Sequence, residues 1–160
     1  MATGTIILPI LGATPDPTNP PGLAFTTAGR PYLTFDGTTD ELCSWTFEMP
    51  SNYASGPIIR VHYSMASATT NNVAVRTEVM ATADGEDIDT DNYAAVEASA
   101  DATVPGTAGL SDIITDALGT PTIAANDYIA LRFGRENATS GTNATGDMEV
   151  WAVSLEYTTA

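Results

Sequence analysis

The 160-residue sequence contains no lysine, one cysteine and one histidine. Its five arginines stand against twenty aspartates and glutamates, which gives a formal net charge of −15. A nucleic-acid partner is therefore not expected, because affinity for nucleic acids depends on lysine and arginine neutralising phosphates. The same scarcity of basic residues argues against an anionic membrane surface as a partner. A chain of this charge is expected to bind a basic or an apolar surface.

The residues that most often carry chemistry are also scarce. Cys43 has no second cysteine to pair with, and its apolar surroundings predict a small buried hydrophobe. His62 lies in a strand-like run with no second histidine or cysteine nearby, so the sequence predicts neither a zinc site nor a histidine-dependent nucleophile. Phosphate-binding, dinucleotide-binding and nucleophile-elbow motifs are absent. We therefore expect a protein that is not an enzyme and has no cofactor.

Residues 1–30 differ from the rest of the chain because they contain five prolines: Pro9, Pro15, Pro17, Pro20 and Pro21. Proline fixes φ and lacks a backbone donor, so this segment is predicted to be an extended N-terminal arm. Its apolar run is too short for a secretion signal or a membrane span, and we expect the chain to fold in a cytoplasm. Five apolar side chains of the arm are candidates for binding a partner: Ile6, Ile7, Leu8, Ile10 and Leu11.

Residues 31–160 are predicted to form an all-β domain. Short runs with period-two alternation recur between turn signals, and this pattern is typical of antiparallel sheets with one buried face. The eight runs are Pro31–Phe35, Leu42–Met49, Pro57–Met65, Val73–Thr82, Tyr93–Ser99, Leu110–Thr115, Tyr128–Arg135 and Met148–Tyr157. We predict an eight-stranded antiparallel jelly roll, or β-sandwich. In the last run, the alternation assigns Trp151 and Val153 to one face and Ala152 to the other.

An acidic segment contains Asp87, Asp89 and Asp91, whose one-three-five spacing is one that calcium favours. The sixth position is Asn92 where a calcium-binding loop has glycine, and the twelfth is Ala98 where it has glutamate. The segment is therefore predicted to be a solvated loop. A loose calcium site at the three aspartates is the alternative.

Aromatic residues admit two interpretations. The tyrosines and tryptophans are Tyr32, Trp45, Tyr53, Tyr63, Tyr93, Tyr128, Trp151 and Tyr157. Most fall within the predicted strands, where packing in the core is the favoured role. A platform on which sugar rings stack is the alternative.

Two parts of the sequence together resemble the small jelly-roll proteins carried by tailed bacteriophages. They are YLTFDGTTDELCSWTFEMP, at residues 32–50, and NDYIALRF with GDMEVWAVSLEY, at residues 126–133 and 146–157. The likeness covers residues 31–157. It implies a structural virion protein, a capsid decoration or cement protein, that binds across neighbouring major capsid protein subunits.

The resemblance also implies an assembly. We expect a homotrimer on the capsid surface, assembled in the host cytoplasm, with Arg132 and Arg135 as candidates for bridging acidic neighbours in the self-contact. The alternative function is a carbohydrate-binding jelly-roll module, either the receptor domain of a tail fibre or a module carried by an enzyme.

Overall fold

Twelve β-strands and one 3-10 turn, Ile10–Gly12, make up the secondary structure of residues 2–137 and 141–160, the part of the chain that the computed structural model describes. The strands are β1 (Thr3–Leu8), β2 (Thr14–Pro15), β3 (Gly22–Phe25), β4 (Pro31–Phe35), β5 (Leu42–Glu48), β6 (Tyr53–Met65), β7 (Asn72–Thr82), β8 (Glu97–Ala98), β9 (Ala102–Thr103), β10 (Asp112–Ala117), β11 (Tyr128–Glu136) and β12 (Met148–Thr159). No helix in these residues is long and apolar enough to cross a membrane.

The strands form two antiparallel sheets. The first sheet has the order β10-β6-β12-β4-β3, and β1 also pairs with β12. The second has the order β2-β5-β11-β7-β8, and β9 also pairs with β7. The predicted fold class, an all-β sandwich, is confirmed. The run predicted at Tyr93–Ser99 contributes only the two residues of β8, and four short strands join the eight predicted ones.

The core lies between the sheets and is built from the inward-facing residues of both. Phe35 of β4 meets Phe133 of β11 edge to face, with ring centroids 5.4 Å apart. Cys43 is buried beside them as predicted, and burial raises the pKa of its thiol to about 12. Such a thiol stays protonated at neutral pH, which is consistent with a small apolar side chain in the core.

The N-terminal segment is not a separate arm, so the predicted boundary at residue 30 is wrong. Thr3–Leu8 pairs with β12 over six residues, and Leu8 and Ile10 are buried in the core. The prolines follow β1 and do not interrupt it. Because the alternation of β1 directs Ile6 and Leu8 inward, the apolar residues that were expected to bind a partner bind mainly the chain's own sandwich.

Two further contacts hold β1 in place. The Trp45 Nε1 donates a hydrogen bond of 2.9 Å to the carbonyl of Pro9. The Tyr157 ring lies directly over Gly4, where a Cβ atom would come within 2.2 Å of the ring. Only glycine leaves room for this close approach. Of the five apolar residues predicted to bind a partner, Ile7 and Leu11 remain exposed. For these two residues, partner binding stays a prediction.

Candidate functional site

A β-bulge turns Trp151 away from the core. Val150 pairs with Tyr63 and Ala152 pairs with His62, so Trp151 is an extra residue between two pairs of the ladder. The extra residue shifts the alternation of β12, and both Trp151 and Ala152 face outward. The prediction that Trp151 shares a face with the core residues is wrong, because period-two counting assumes an unbroken strand. Bulges commonly re-aim a side chain in this way at functional sites.

Two side chains of the first sheet's outer face cover part of the Trp151 ring. Tyr32 of β4 stacks on it, with ring centroids 4.4 Å apart and planes inclined by 28°. The Arg30 Cζ lies 6.0 Å from the centroid of the Trp151 ring, at the limit of cation–π attraction. Tyr32 reaches this face because its strand directs the neighbouring Leu33 into the core.

Hydrogen bonds fix the indole in its plane. The Trp151 Nε1 donates to the Ser64 Oγ at 2.8 Å, and the Ser64 Oγ donates to the Glu149 Oε2 at 2.7 Å. With Tyr32 stacked on the ring, the tryptophan is held before any ligand arrives. A preorganised side chain loses little rotamer entropy on binding.

Two clefts meet at this tryptophan. One has a volume of about 420 Å³ and is lined by Arg30, His62, Gly109, Ser111, Trp151 and Ala152. The other has a volume of about 280 Å³ and is lined by Ile7, Leu8, Pro9, Ile10, His62, Trp151, Ala152, Val153 and Ser154. They share His62, Trp151 and Ala152, so we describe them together as the Trp151 groove. The groove offers an aromatic wall, hydroxyl groups, an imidazole and a guanidinium, which suits a polar ligand with an apolar face.

The Arg135 side chain is not available for self-association. It is 5% exposed, and its guanidinium donates to the carbonyls of Gly146, at 2.6 Å, and of Ala144. Burial lowers the pKa of Arg135, while the carboxylates of Asp147 and Asp36 act in the opposite direction. Arg135 lies on the core-facing side of β11 near its end, and its hydrogen bonds hold the loop before β12 within the same chain.

Arg132 is also engaged within the chain. Its Nη1 lies 3.1 Å from the Glu78 Oε2, and its Cζ lies 4.1 Å from the centroid of the Tyr93 ring. Arg76 contacts the other oxygen of Glu78 at 2.8 Å, so the three charges form a network on the outer face of the second sheet. The predicted role of Arg132 between subunits competes with these contacts.

The acidic segment forms a tight turn. The Asp87 Oδ1 accepts a hydrogen bond from the Asp89 backbone, and the Asp87 carbonyl accepts from Thr90. Across the described ranges, no three histidine, cysteine, aspartate or glutamate side chains are arranged to hold a metal ion, and Asp87, Asp89 and Asp91 do not converge.

We expect folding to be independent of calcium. A calcium ion that bound only the native state would stabilise it and raise the melting temperature. Because no such site is expected here, the melting temperatures measured in EDTA and in millimolar calcium should differ by no more than a degree or two. A large calcium-dependent shift that Asp89→Asn abolishes would show that the three aspartates form a site in solution.

No family model and no curated protein matches this chain. Solved structures do. A family 35 carbohydrate binding module from Clostridium thermocellum matches with a TM-score of 0.54 and 10% identity, over 95% of this chain and 97% of the module. CsCBM6-3 from Clostridium stercorarium, in complex with cellobiose, matches with a TM-score of 0.50 and 7% identity, over 94% and 90%.

The xylanase 10B CBM22-1-GH10 modules from Clostridium thermocellum, complexed with xylohexaose, match with a TM-score of 0.54 and 15% identity. This match covers 92% of our chain and 26% of the enzyme chain. Identities this low show the fold alone. The resemblance to phage jelly-roll proteins is thereby supported at the level of the jelly roll and no further.

Proposed function

We propose that this chain is a carbohydrate-binding jelly roll that holds a sugar chain in the Trp151 groove. One observation carries the proposal: a bulge directs Trp151 outward, Tyr32 and Ser64 fix it, and it forms the wall shared by two clefts. The C–H faces of sugar rings pack on aromatic rings, and the hydroxyl groups at the ring edge need polar partners. His62, Ser111 and Ser154 supply such partners along the groove.

The size of the groove fits more than one sugar ring. Ligand sites usually have volumes of about 300–1,000 Å³. The two clefts, of about 420 and 280 Å³, extend to both sides of Trp151. A chain of sugars would therefore cross β12 at the tryptophan, with rings on either side of it.

The comparisons support this alternative over capsid decoration, since several jelly rolls that match the fold are carbohydrate-binding modules. A binding role without catalysis also fits the composition of the groove. Glycoside hydrolysis uses two carboxyl groups that flank the bond to be broken. Among the described residues, no aspartate or glutamate lines either cleft.

Trp151→Ala is expected to weaken binding to polysaccharide at least about tenfold, because buried aromatic anchors carry much of the energy of an interface. Affinity electrophoresis through gels that contain cellulose derivatives, xylan, dextran, pectate, alginate or carrageenan would first identify the polymer that retards the chain. Isothermal titration with an oligosaccharide of that polymer would then give the dissociation constants of the variant and the parent.

The matched control is Tyr93→Ala, which removes an aromatic ring from the outer face of the other sheet, where it lies against Arg132. This variant should bind like the parent. If no polymer retards the parent, or if both variants bind equally well, the proposal fails. Co-sedimentation of the parent with bare phage capsids would in that case favour capsid decoration.

One surface favours a protein partner as the second candidate. Leu23 and Phe25 lie on the edge strand β3 and are 53% and 56% exposed, and Leu11 is exposed beside them. A cleft of about 260 Å³ opens between this edge and the proline-containing loop before it. Apolar edges of this kind are sites of strand addition or docking. The major capsid protein as partner, the homotrimer and the location on the virion remain predictions.

A further inference from the structure

The Trp151 groove has a charge unlike that of the rest of the chain. Twenty acidic residues stand against five arginines and one histidine in the sequence. Of the residues that line the two clefts, Arg30 and His62 are the only ones that can carry a side-chain charge, within the described part of the chain. A cleft with the average composition of this chain would contain more acidic than basic residues.

Arg30 differs from the other arginines in its partners. Arg60, Arg76 and Arg132 each lie within 4.0 Å of a carboxylate, and Arg135 is bound to backbone carbonyls. Arg30 is exposed, and within residues 2–137 and 141–160 it has no carboxylate at ion-pair distance. Its Cζ lies 6.0 Å from the centroid of the Trp151 ring, and the side chain is exposed to solvent.

Three carboxylates of the first sheet have partners within the chain. Glu149 accepts the Ser64 hydroxyl at 2.7 Å, and Glu156 lies 3.9 Å from Arg60. The Asp112 Oδ1 accepts the Ile113 backbone at 2.8 Å, and its Oδ2 accepts the Tyr63 hydroxyl at 3.3 Å. None of these three groups lines either cleft.

We propose that the ligand of the groove is an anionic sugar, whose carboxylate or sulfate binds Arg30 while a sugar ring packs on Trp151. This inference rests on the proposed function and names its substrate class. Guanidinium groups bind carboxylates and sulfates through paired, charge-assisted hydrogen bonds. The net charge of −15 opposes the approach of an anion over long distances. At physiological ionic strength the Debye length is about 8 Å, so the remote carboxylates are screened while the contact pair persists.

The test begins with an acid and its neutral ester and extends to other anionic oligosaccharides. Isothermal titration at about 0.15 M salt, chosen for this screening length, uses trigalacturonate and its methyl ester as the carboxylate arm. An alginate trisaccharide and a sulfated galactan oligosaccharide complete the set and separate carboxylate from sulfate. At least one of the anionic oligosaccharides should bind. If trigalacturonate is that ligand, its ester should bind at least about tenfold more weakly.

Arg30→Gln should lower the affinity for the anionic ligand by about the same factor and leave that for the ester unchanged. Arg60→Gln is the matched control, because it makes the same change in net charge on the same sheet face at a residue that lines neither cleft. The affinity of Arg60→Gln for the anionic ligand should stay within about twofold of that of the parent. The inference would be overturned if trigalacturonate and its ester both bound with equal affinity, if the two variants had equal effects, or if no anionic oligosaccharide bound. If a neutral sugar binds and Trp151→Ala abolishes that binding, the proposed function stands and only the inference of an anionic ligand fails.

Discussion

Leu8→Ala is expected to lower the free energy of unfolding by about 2–5 kcal/mol, the usual cost of a large cavity in a core. Leu8 is 3% exposed and is the last residue of β1 in its pairing with β12. Leu8 packs among core residues of both sheets, so its truncation leaves a void beneath β1. The backbone cannot easily shift to fill this void, because the proline that follows Leu8 has a fixed φ. For a domain of ordinary stability, about 5–15 kcal/mol, this is a large share of the total.

Urea unfolding followed by tryptophan fluorescence would measure the change. Ile7→Ala is the control, since its side chain is 69% exposed on the same strand and should cost no more than about 0.5 kcal/mol. A Leu8→Ala variant as stable as the Ile7→Ala variant would restore the interpretation of residues 1–30 as an arm that the sandwich does not need.

Arg135→Leu is expected to be at least as damaging, at about 3–5 kcal/mol, which is typical when one partner of a buried charged network is removed. The carbonyls of Ala144 and Gly146 would lose their donors, and Asp36 and Asp147 would lose the positive charge near them. Leucine fills most of the volume, so the loss would be one of polar contacts more than of packing.

The comparison for Arg135→Leu is Arg60→Gln, whose ion pair with Glu156 is 3.9 Å long and over a third exposed. Such pairs contribute about 0–1 kcal/mol. Thermal unfolding and light scattering together separate the two roles considered for Arg135. If Arg135→Leu keeps its melting temperature but changes from oligomer to monomer, the residue acts between subunits and our assignment of it to the interior is wrong.

The central strands could be predicted from sequence because their physical signal is local. β4 begins and ends at the residues predicted for it, Pro31 and Phe35, and β11 and β12 begin where predicted. Each has alternating apolar residues between turn-forming residues. The N-terminal strands gave a weaker signal, because β2 has two residues and β3 has four, and prolines stand between them. The place of β1 in the sandwich depends on β12, a partner strand more than a hundred residues away, and no local sequence pattern reveals that pairing.

The candidate site could be predicted only in part. Sugar stacking is the alternative role that the sequence offers for Tyr32 and Trp151, and the favoured assignment to the core is wrong for both. For Trp151 the reason is a single extra residue in β12, which the pairing with β6 reveals and the sequence of β12 alone does not. Arg30 lay in the segment interpreted as an arm, so nothing in the sequence placed it beside Trp151. Charge counts gave the excess of acid, but only the fold shows where the few basic groups are.

The pairing of β1 with β12 has a consequence for how the chain folds. Thr3 lies opposite Thr158, so the first and last strands are neighbours in the finished sheet. During synthesis β1 leaves the ribosome long before β12 has been made, so the apolar residues of β1 remain without their partner strand until then. Sheets dominated by such distant pairings fold slowly, in milliseconds to seconds, because the entropy of closing a long loop is lost before the contacts form. Completion of the first sheet therefore has to follow the synthesis of β12 and comes late in folding.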